Sequence, residues 1–375
     1  MTGSWNLKSI SQEFEVKGEF LSAQPYGNGH LHDTFLVKMK RQPGPVAYIF
    51  QRINHTAFRN PPALMENISR VTRFLRQKLE TLYFINHDIS RHVLTVIPTK
   101  DGENLYKDSD GNYWRAYLFI EKAKAYDTLH SLDQAYQAAF MFGQFLKRLE
   151  DFPPPPLHET IANFHNGPER FKEFQQALTS DSLNRAKTAR AEIDFLSSHA
   201  GLFAVIPDLV QKKKIPLRVT HNDTKINNVL LDETTGAGVC VIDLDTVMNG
   251  VSLYDFGDLA RSTLSSLEED ERDLTNLVVE MPRFEAIIKG FLAGAAGSLT
   301  RSERDYLVFS TQLMPLLIGM RFLSDYLRGD IYFKVRRHSH NLDRCRRQFK
   351  LVQAVKNHET EMLSIVQKGG GTPDQ

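Results

Sequence analysis

Apolar positions change their spacing partway along this chain. In the first third they alternate or fall in short runs, the habit of strands. "GEFLSAQPYGNGHLHDTFLVKM" reads as two extended runs around a turn at Gly27 and Gly29. "PVAYIFQRI" places a compact strand over Val46 to Ile53, after the turn signal "QPGP". "PPALMENISRVTRFLRQKLE" then opens on prolines and carries Leu64, Ile68, Val71, Phe74 and Leu75 at helical spacing, which predicts a Pro-started helix. "NYWRAYLFIE", Asn112 to Glu121, is an aromatic-rich strand.

Beyond it the period lengthens to that of helices. "LDQAYQAAFMFGQFLKRLEDF" is a long amphipathic helix that stops before Pro153 to Pro156. The pattern resumes at "GPERFKEFQQAL" and "AEIDFLSSHAGLFAVI", breaks for a loop and hairpin, and continues to about Val366. The expected architecture is α+β: a small β-rich lobe over 1–120, a large helical lobe over 121–366, and a disordered tail over 367–375. A cleft between lobes is the expected ligand site.

Composition narrows the function. The 375 residues carry 46 Lys and Arg against 45 Asp and Glu, a net charge of +1. Bulk electrostatics therefore argues against nucleic acid or an anionic membrane as partner. The runs Lys212 to Lys214 and "RRHSHNLDRCRRQ" read as solvated faces. Two cysteines, Cys240 and Cys345, stand in no metal-binding spacing and suit a reducing compartment. The first residues lack a signal-peptide pattern and no apolar run approaches the roughly 18 residues of a span. The expected location is the cytoplasm, and the expected state a monomer without an obligatory protein partner.

The chemistry concentrates in "RVTHNDTKINNVLLDETTGAGVCVIDLDT", Arg218 to Thr246. "NNVLL" and "GVCVI" are short strands joined by the turn "DETTGAG", a hairpin. Asn228 begins its first strand and Asp243 follows its second, so the two should come close. Both offer hard oxygens, which suit Mg²⁺ and not zinc. Asp223 lies on the loop leading in. One carboxylate to guide an attacking hydroxyl, with an Asn and an Asp to hold Mg²⁺ against ATP phosphates, is what phosphoryl transfer requires. The Asp-to-Asn spacing is that of protein-kinase catalytic loops. Asn222 replaces their Arg and no activation-loop apparatus follows, which points to a small-molecule kinase.

"YDFGD" contains Asp255-Phe256-Gly257, but a long connection separates Asp255 from the hairpin; it is expected to cap a helix or brace the catalytic loop. "VCVIDLDTV" also resembles a phosphatase nucleophile motif. It stands two-thirds along the chain and would leave Asp223 and Asn228 unexplained. A kinase-like binding protein is a third reading, and it predicts a missing member among Asp223, Asn228 and Asp243. Gly27 and Gly29 could approach phosphates through backbone amides, or simply make a turn. No Walker A motif occurs. The strand "YIFQRI" lacks a phosphate-pairing Lys; Arg52 or Gln51 could substitute, with Glu66 as partner. Tyr117 to Glu121 would either join the lobes and offer backbone groups, Glu121 included, to adenine, or form a core strand. His30 and His32 could face the cleft. "GMRFLSDYLRGDIYF" sets Arg321, Asp325 and Arg328 at helical spacing ahead of Tyr332, which on its own reads as a salt-laced helix with a capped end.

Together "PYGNGHLHDTFLV", "LRVTHNDTKINNVLLD", "VIDLDTVMNG", "DFGD", "GMRFLSDYLRGDIYF" and "HNLDR" resemble the aminoglycoside phosphotransferase and choline kinase superfamily, and within it the N-acetylhexosamine 1-kinases. The resemblance implies a protein-kinase-like two-lobe fold. It implies ATP- and Mg²⁺-dependent phosphorylation of the anomeric hydroxyl of GlcNAc or GalNAc to the α-1-phosphate. By position Asp223 would be the base, Asn228 and Asp243 the metal ligands, and Asp245 a nearby acid with a metal or sugar role. His30, Arg321 and Tyr332 would line the sugar pocket.

Overall fold

The computed structural model describes residues 5–27, 31–82 and 88–369. The chain divides into two compact units. One comprises the chain to Ala123 with two short returns, Pro153–Ile161 and Cys240–Val247; the other takes Lys124–Phe152, Ala162–Val239 and Met248 onward.

The first unit is built on an antiparallel sheet. Its elements are α1 (Leu7–Ser11), β1 (Glu19–Pro25), β2 (Asp33–Lys40), β3 (Val46–Ile53), α2 (Pro61–Leu82), β4 (Val96–Ile97), β5 (Tyr106–Lys107) and β6 (Tyr113–Leu118). The sheet runs β1-β2-β3-β6-β4, with β5 also on β6. Alternation sends Val37, Met39, Tyr48, Phe50, Trp114 and Ala116 into a core closed by Leu7, Ile10 and Phe14. On α2 the expected stripe is buried at Leu64, Ile68, Val71 and Leu75, while Phe74 on its flank is half-buried beneath Lys78. Buried Asn67 ties both returns to α2. Its amide donates to the carbonyls of His158 (2.8 Å) and Val247 (3.1 Å) and accepts from the His158 N–H (2.9 Å). The chain leaves through a two-residue strand, β7 (Ala123–Lys124).

The second unit is helical around short strands. Its helices are α3 (Leu132–Arg148), α4 (Gly167–Ser180), α5 (Arg190–Ser198), α6 (Val205–Gln211), α7 (Ser252–Thr263), α8 (Met281–Ala295), α9 (Arg301–Asp305), α10 (Leu307–Arg328), α11 (His340–Asn357) and α12 (Glu359–Gly369). Its strands are β8 (Arg218–Thr220), β9 (Val229–Asp232), the start of β10 (Gly238–Val241) and β11 (Met248–Gly250). α3 and α8 approach through glycine. A Cβ on Gly294 would lie 2.1 Å from the Phe140 carbonyl, so nothing larger fits. The last helix runs through Gly369, three residues into the segment read as tail; the residues after it lie outside the described ones.

α10 meets the length and hydropathy of a membrane span, a property that the sequence reading had excluded. Yet 83% of its most apolar window is buried, against α4, α7 and α11. That makes it the core helix of its unit.

Candidate active site

The loop that carries Asp223 is braced from three sides within the second unit. β8 pairs with β11, Thr220 opposite Met248, and delivers the chain to His221. His221 is fully buried, edge-on to Phe142 and Phe145. Its Nδ1 accepts the Asp223 N–H at 3.3 Å. Asn222 takes a left-handed backbone, φ 64°, which an Asn tolerates better than most residues. Its carbonyl accepts from His165 Nε2 at 2.8 Å. Burial pushes the His165 pKa down to about 3, so the ring stays neutral.

The third brace is Asp255. Its carboxylate accepts the N–H groups of His221 (3.0 Å) and Asn222 (2.7 Å), and its carbonyl accepts the Thr224 hydroxyl. Of the two structural roles expected for it, the structure selects the brace. The cap of α7 is Val251, and Asp255 lies in the first turn. The literal DFG is explained by packing: a Cβ on Gly257 would stand 2.5 Å from the Ser310 carbonyl of α10.

Asp223 is half-buried at the mouth of this loop. Burial works against its charge, but Lys225 first, then His221 and Arg261, outweigh burial and hold the carboxyl below the usual range. Lys225 Nζ stands 3.2 Å from Oδ2. Asn228 closes a short turn before β9 and donates its amide to the Asp223 carbonyl (2.7 Å) and to Oδ2 (3.2 Å). Those bonds use the N–H side of the amide and leave its Oδ1 out of the contact with Asp223. A carboxylate held ionised beside a lysine can accept a proton, and a fixed amide oxygen can ligate a hard cation. Lys225 was missed in the sequence reading, although it stands two residues from Asp223.

Asp243 belongs to the first unit. It follows β10 in a left-handed conformation, φ 59° and ψ 58°, and is exposed. Asp245, two residues on, is 2% exposed and its carboxylate is fully engaged. Arg115 on β6 grips both oxygens, with Nη2 at 2.9 Å from Oδ2, and His32 Nε2 bonds Oδ2 as well. His32 Nδ1 accepts the Asn54 N–H at 3.0 Å, which leaves the ring proton on Nε2 to be donated. Thr160 adds a bond to the Asp245 carbonyl at 2.9 Å. Burial would raise the Asp245 pKa, but Arg115 and then His32 hold it far below the usual range. Its oxygens are bound within the protein, whatever metal or sugar role its position suggested.

Arg115 was also missed. It lies opposite Gln51 on β3, whose Oε1 accepts its Nε at 2.9 Å. The signal was an arginine in the middle of the apolar run "YWRAYL", a fully buried position in a central strand. Arg52, by contrast, ion-pairs with Asp33 at 2.6 Å and covers the Trp5 ring at 4.8 Å. Glu66 pairs with His158 at 2.9 Å. The structure does not pair Arg52 with Glu66: Arg52 bonds Asp33 and Glu66 bonds the His158 ring of the first return. Gly27 has φ 74° with open space beside it, as a turn requires. Tyr26 touches Phe119 edge-on at 5.7 Å, which brings that turn beside the Tyr117–Glu121 segment; Glu121 itself is exposed in the following turn. Gly29 and His30 lie outside the described residues.

Arg321 and Tyr332 come together in the second unit. The Arg321 guanidinium lies 4.7 Å from the Phe164 ring, 5.5 Å from Phe333 and 5.7 Å from Tyr332. Among the described residues no carboxylate pairs with it. Burial pulls its pKa below the usual arginine range, and Asp223 is among the groups that counter this.

Residues 22–279 match the phosphotransferase enzyme family, APH. Among solved structures, the chain superposes on an aminoglycoside phosphotransferase from Alicyclobacillus acidocaldarius with TM-score 0.63 at 13% identity, covering 98% of each chain. A choline kinase from Cryptosporidium parvum gives 0.57 at 13% identity, over 96% of this chain and 98% of that one. A spectinomycin phosphotransferase in complex with ADP and spectinomycin gives 0.52 at 13% identity, over 93% and 97%. The fold is the kinase-like α+β fold that these enzymes share, with an antiparallel sheet in the N-terminal part and a large helical C-terminal part.

Proposed function

We propose that this chain, which belongs to the phosphotransferase enzyme family, transfers the γ-phosphoryl group of ATP to the anomeric hydroxyl of an N-acetylhexosamine. The products would be ADP and the sugar α-1-phosphate. The ADP bound by a structural neighbour supports an adenine nucleotide as donor. In the step, the anomeric oxygen attacks the γ-phosphorus, the bond to the β-γ bridging oxygen breaks, and Asp223 takes the hydroxyl proton. Lys225 keeps Asp223 ionised until then. Asn228 and Asp243 each carry a hard oxygen of the kind that would hold Mg²⁺, which when bound would neutralise charge on the phosphates. The turn at Gly27 and the segment to Glu121 are proposed for the nucleotide. Arg52 and Asp245 are assigned supporting roles in place of direct contacts.

The observation that carries the acceptor class is Arg321 in its aromatic surround, with no carboxylate pairing with it among the described residues. A half-buried guanidinium that pairs with no carboxylate among the described residues can donate to the oxygens of a ligand, and an acetamido carbonyl and sugar hydroxyls supply such acceptors. A quaternary amine or a polycationic antibiotic would bring like charge to the same place. Aromatic faces such as that of exposed Tyr332 suit the C–H face of a sugar.

The test is ATP consumption against GlcNAc, GalNAc, glucose, galactose, choline, homoserine and an aminoglycoside, with phosphorus NMR of the product. Turnover of an N-acetylhexosamine to its 1-phosphate is the expected result. Turnover of choline or the antibiotic alone would overturn the acceptor while leaving Asp223 in place.

A further inference from the structure

Arg321 and Asp325 stand one turn apart on α10, where opposite charges ordinarily pair. They do not. Asp325, 4% exposed, turns instead to the chain that leaves the helix. Gly329 ends α10 at φ 103°, and the Asp330 N–H returns to the Asp325 carbonyl at 2.8 Å. The Asp325 carboxylate then accepts three consecutive backbone N–H groups: Ile331 at 3.0 Å, Tyr332 at 2.8 Å and Phe333 at 3.0 Å. Asn341 of α11 adds a fourth donor at 2.9 Å. A buried carboxylate near a helix C-terminus is opposed both by burial and by the helix dipole, so the helix alone gives it no reason to be there. The four donors do.

The strap that they hold is exposed. Ile331 is 76% and Tyr332 42% accessible, and half-buried Phe333 packs on the Phe322 ring at 4.7 Å, so side-chain burial anchors only the far end of the strap. Its backbone bonds to Asp325 hold the rest, joined at its start by Asp330, which pairs with Arg185 at 2.6 Å and accepts from Asn341 at 2.9 Å.

We propose that Asp325 is a positioning residue for acceptor binding: by gripping Ile331–Phe333 it holds the Tyr332 and Phe333 rings against Arg321 and leaves that guanidinium free for the acceptor. The inference rests on the reading of Arg321 and Tyr332 as the acceptor site. It makes Asp325 act through Arg321, not on the substrate itself.

Asp325→Asn, Arg321→Met and the double variant would be compared by steady-state kinetics on whichever acceptor the wild type uses. Asp325→Asn should raise the acceptor KM about tenfold, with the nucleotide KM unchanged and kcat within about twofold. In the Arg321→Met background the same change should add little, because its target is gone. Hydrogen exchange on the unaltered enzyme should show the amides of Ile331, Tyr332 and Phe333 protected beside faster Lys334 and Val335. An unchanged acceptor KM, a loss of nucleotide affinity in step with Tm, or full additivity of the two variants would overturn the proposal. So would strap amides that exchange as fast as their neighbours, a result that needs no variant to fold. Failure of the hexosamine reading is separate, since it would show in the wild type's choice of acceptor before any variant is made.

Discussion

Two regions of this enzyme each bury charge, and they spend it differently. In the first unit Asp245 is saturated by Arg115 and His32, with Thr160 on its carbonyl. In the second, Asp223 is half-buried with one lysine at 3.2 Å, and Arg321 is stacked on rings with no carboxylate pairing with it among the described residues. Charge matched this closely within the protein chiefly builds; both carboxylate oxygens are already engaged. Charge left over can act on a ligand. Under the proposed function Asp245 and Arg115 would place the exposed Asp243, two residues before Asp245, while Asp223 and Arg321 would meet the substrate.

The largest effect that the contrast predicts is at Asp223. Asp223→Asn should lower kcat by about 10³-fold, the scale of a lost general base, and leave stability within about 1 kcal/mol. Turnover near the wild-type rate would place the proton acceptor elsewhere.

The opposite profile is expected at Arg115. Arg115→Met strands the Asp245 carboxylate in the interior, a change that costs about 3–5 kcal/mol when a buried pair loses one member. Urea denaturation measures it. The penalty should shrink in Arg115→Met with Asp245→Leu, because both charges then leave together. Should Arg115→Met unfold at the wild-type midpoint, the cluster would not be the brace described here.

These two sites also differ in how far the sequence revealed them. The loop from His221 to Asn228 was legible because its chemistry is local: spacing within eight residues fixes what an Asp and an Asn can do together. The sheet was legible from the alternation in "VAYIFQRI" and the cluster in "YWRAYL". The Arg115–Asp245 pair was not, since its members lie 130 positions apart and nothing local marks them as partners. The same limit misassigned Asp325. Helical spacing offered it Arg321 and Arg328, and only the path of the chain after Gly329 shows its carboxylate facing three backbone amides. Asp255 was half-legible: its distance from the hairpin excluded the metal, but spacing could not decide between cap and brace.

A smaller effect is expected at Arg321. Arg321→Met removes a cation that pairs with no carboxylate among the described residues, so stability should change by less than about 1 kcal/mol. The acceptor KM should rise about 10- to 100-fold, the loss of one or two charge-assisted hydrogen bonds. Calorimetric binding of a non-hydrolysable ATP analogue should be unaltered. A variant that lost several kcal/mol of stability while keeping its acceptor KM would make Arg321 a structural residue like Arg115.

The smallest effect separates two buried aspartates by the sign of their response to pH. Burial lifts the Asp255 pKa to about 6, against the pull of His221 and of the backbone N–H groups it accepts. The folded protein therefore holds this proton more tightly than the unfolded chain, whose aspartates titrate near 3.9. As pH falls from 7 through 6 toward 4, Asp255 adds stability. Asp245 behaves oppositely: its depressed folded pKa contributes stability that is present above the unfolded value and is lost only in stronger acid, as pH falls through the folded pKa. Other groups titrate in the same range; neutral His165, for one, loses stability as pH drops below 6.5. The group is isolated by subtraction. Unfolding free energies of wild type and Asp255→Asn, measured in urea at pH 7, 6 and 5, should show the wild type gaining about 1 kcal/mol on the variant as pH falls. A flat difference would mean that the carboxylate is as comfortable ionised as in water, which two backbone amides alone could achieve. A difference of the opposite sign would class Asp255 with Asp245, a charge that the fold has fully matched.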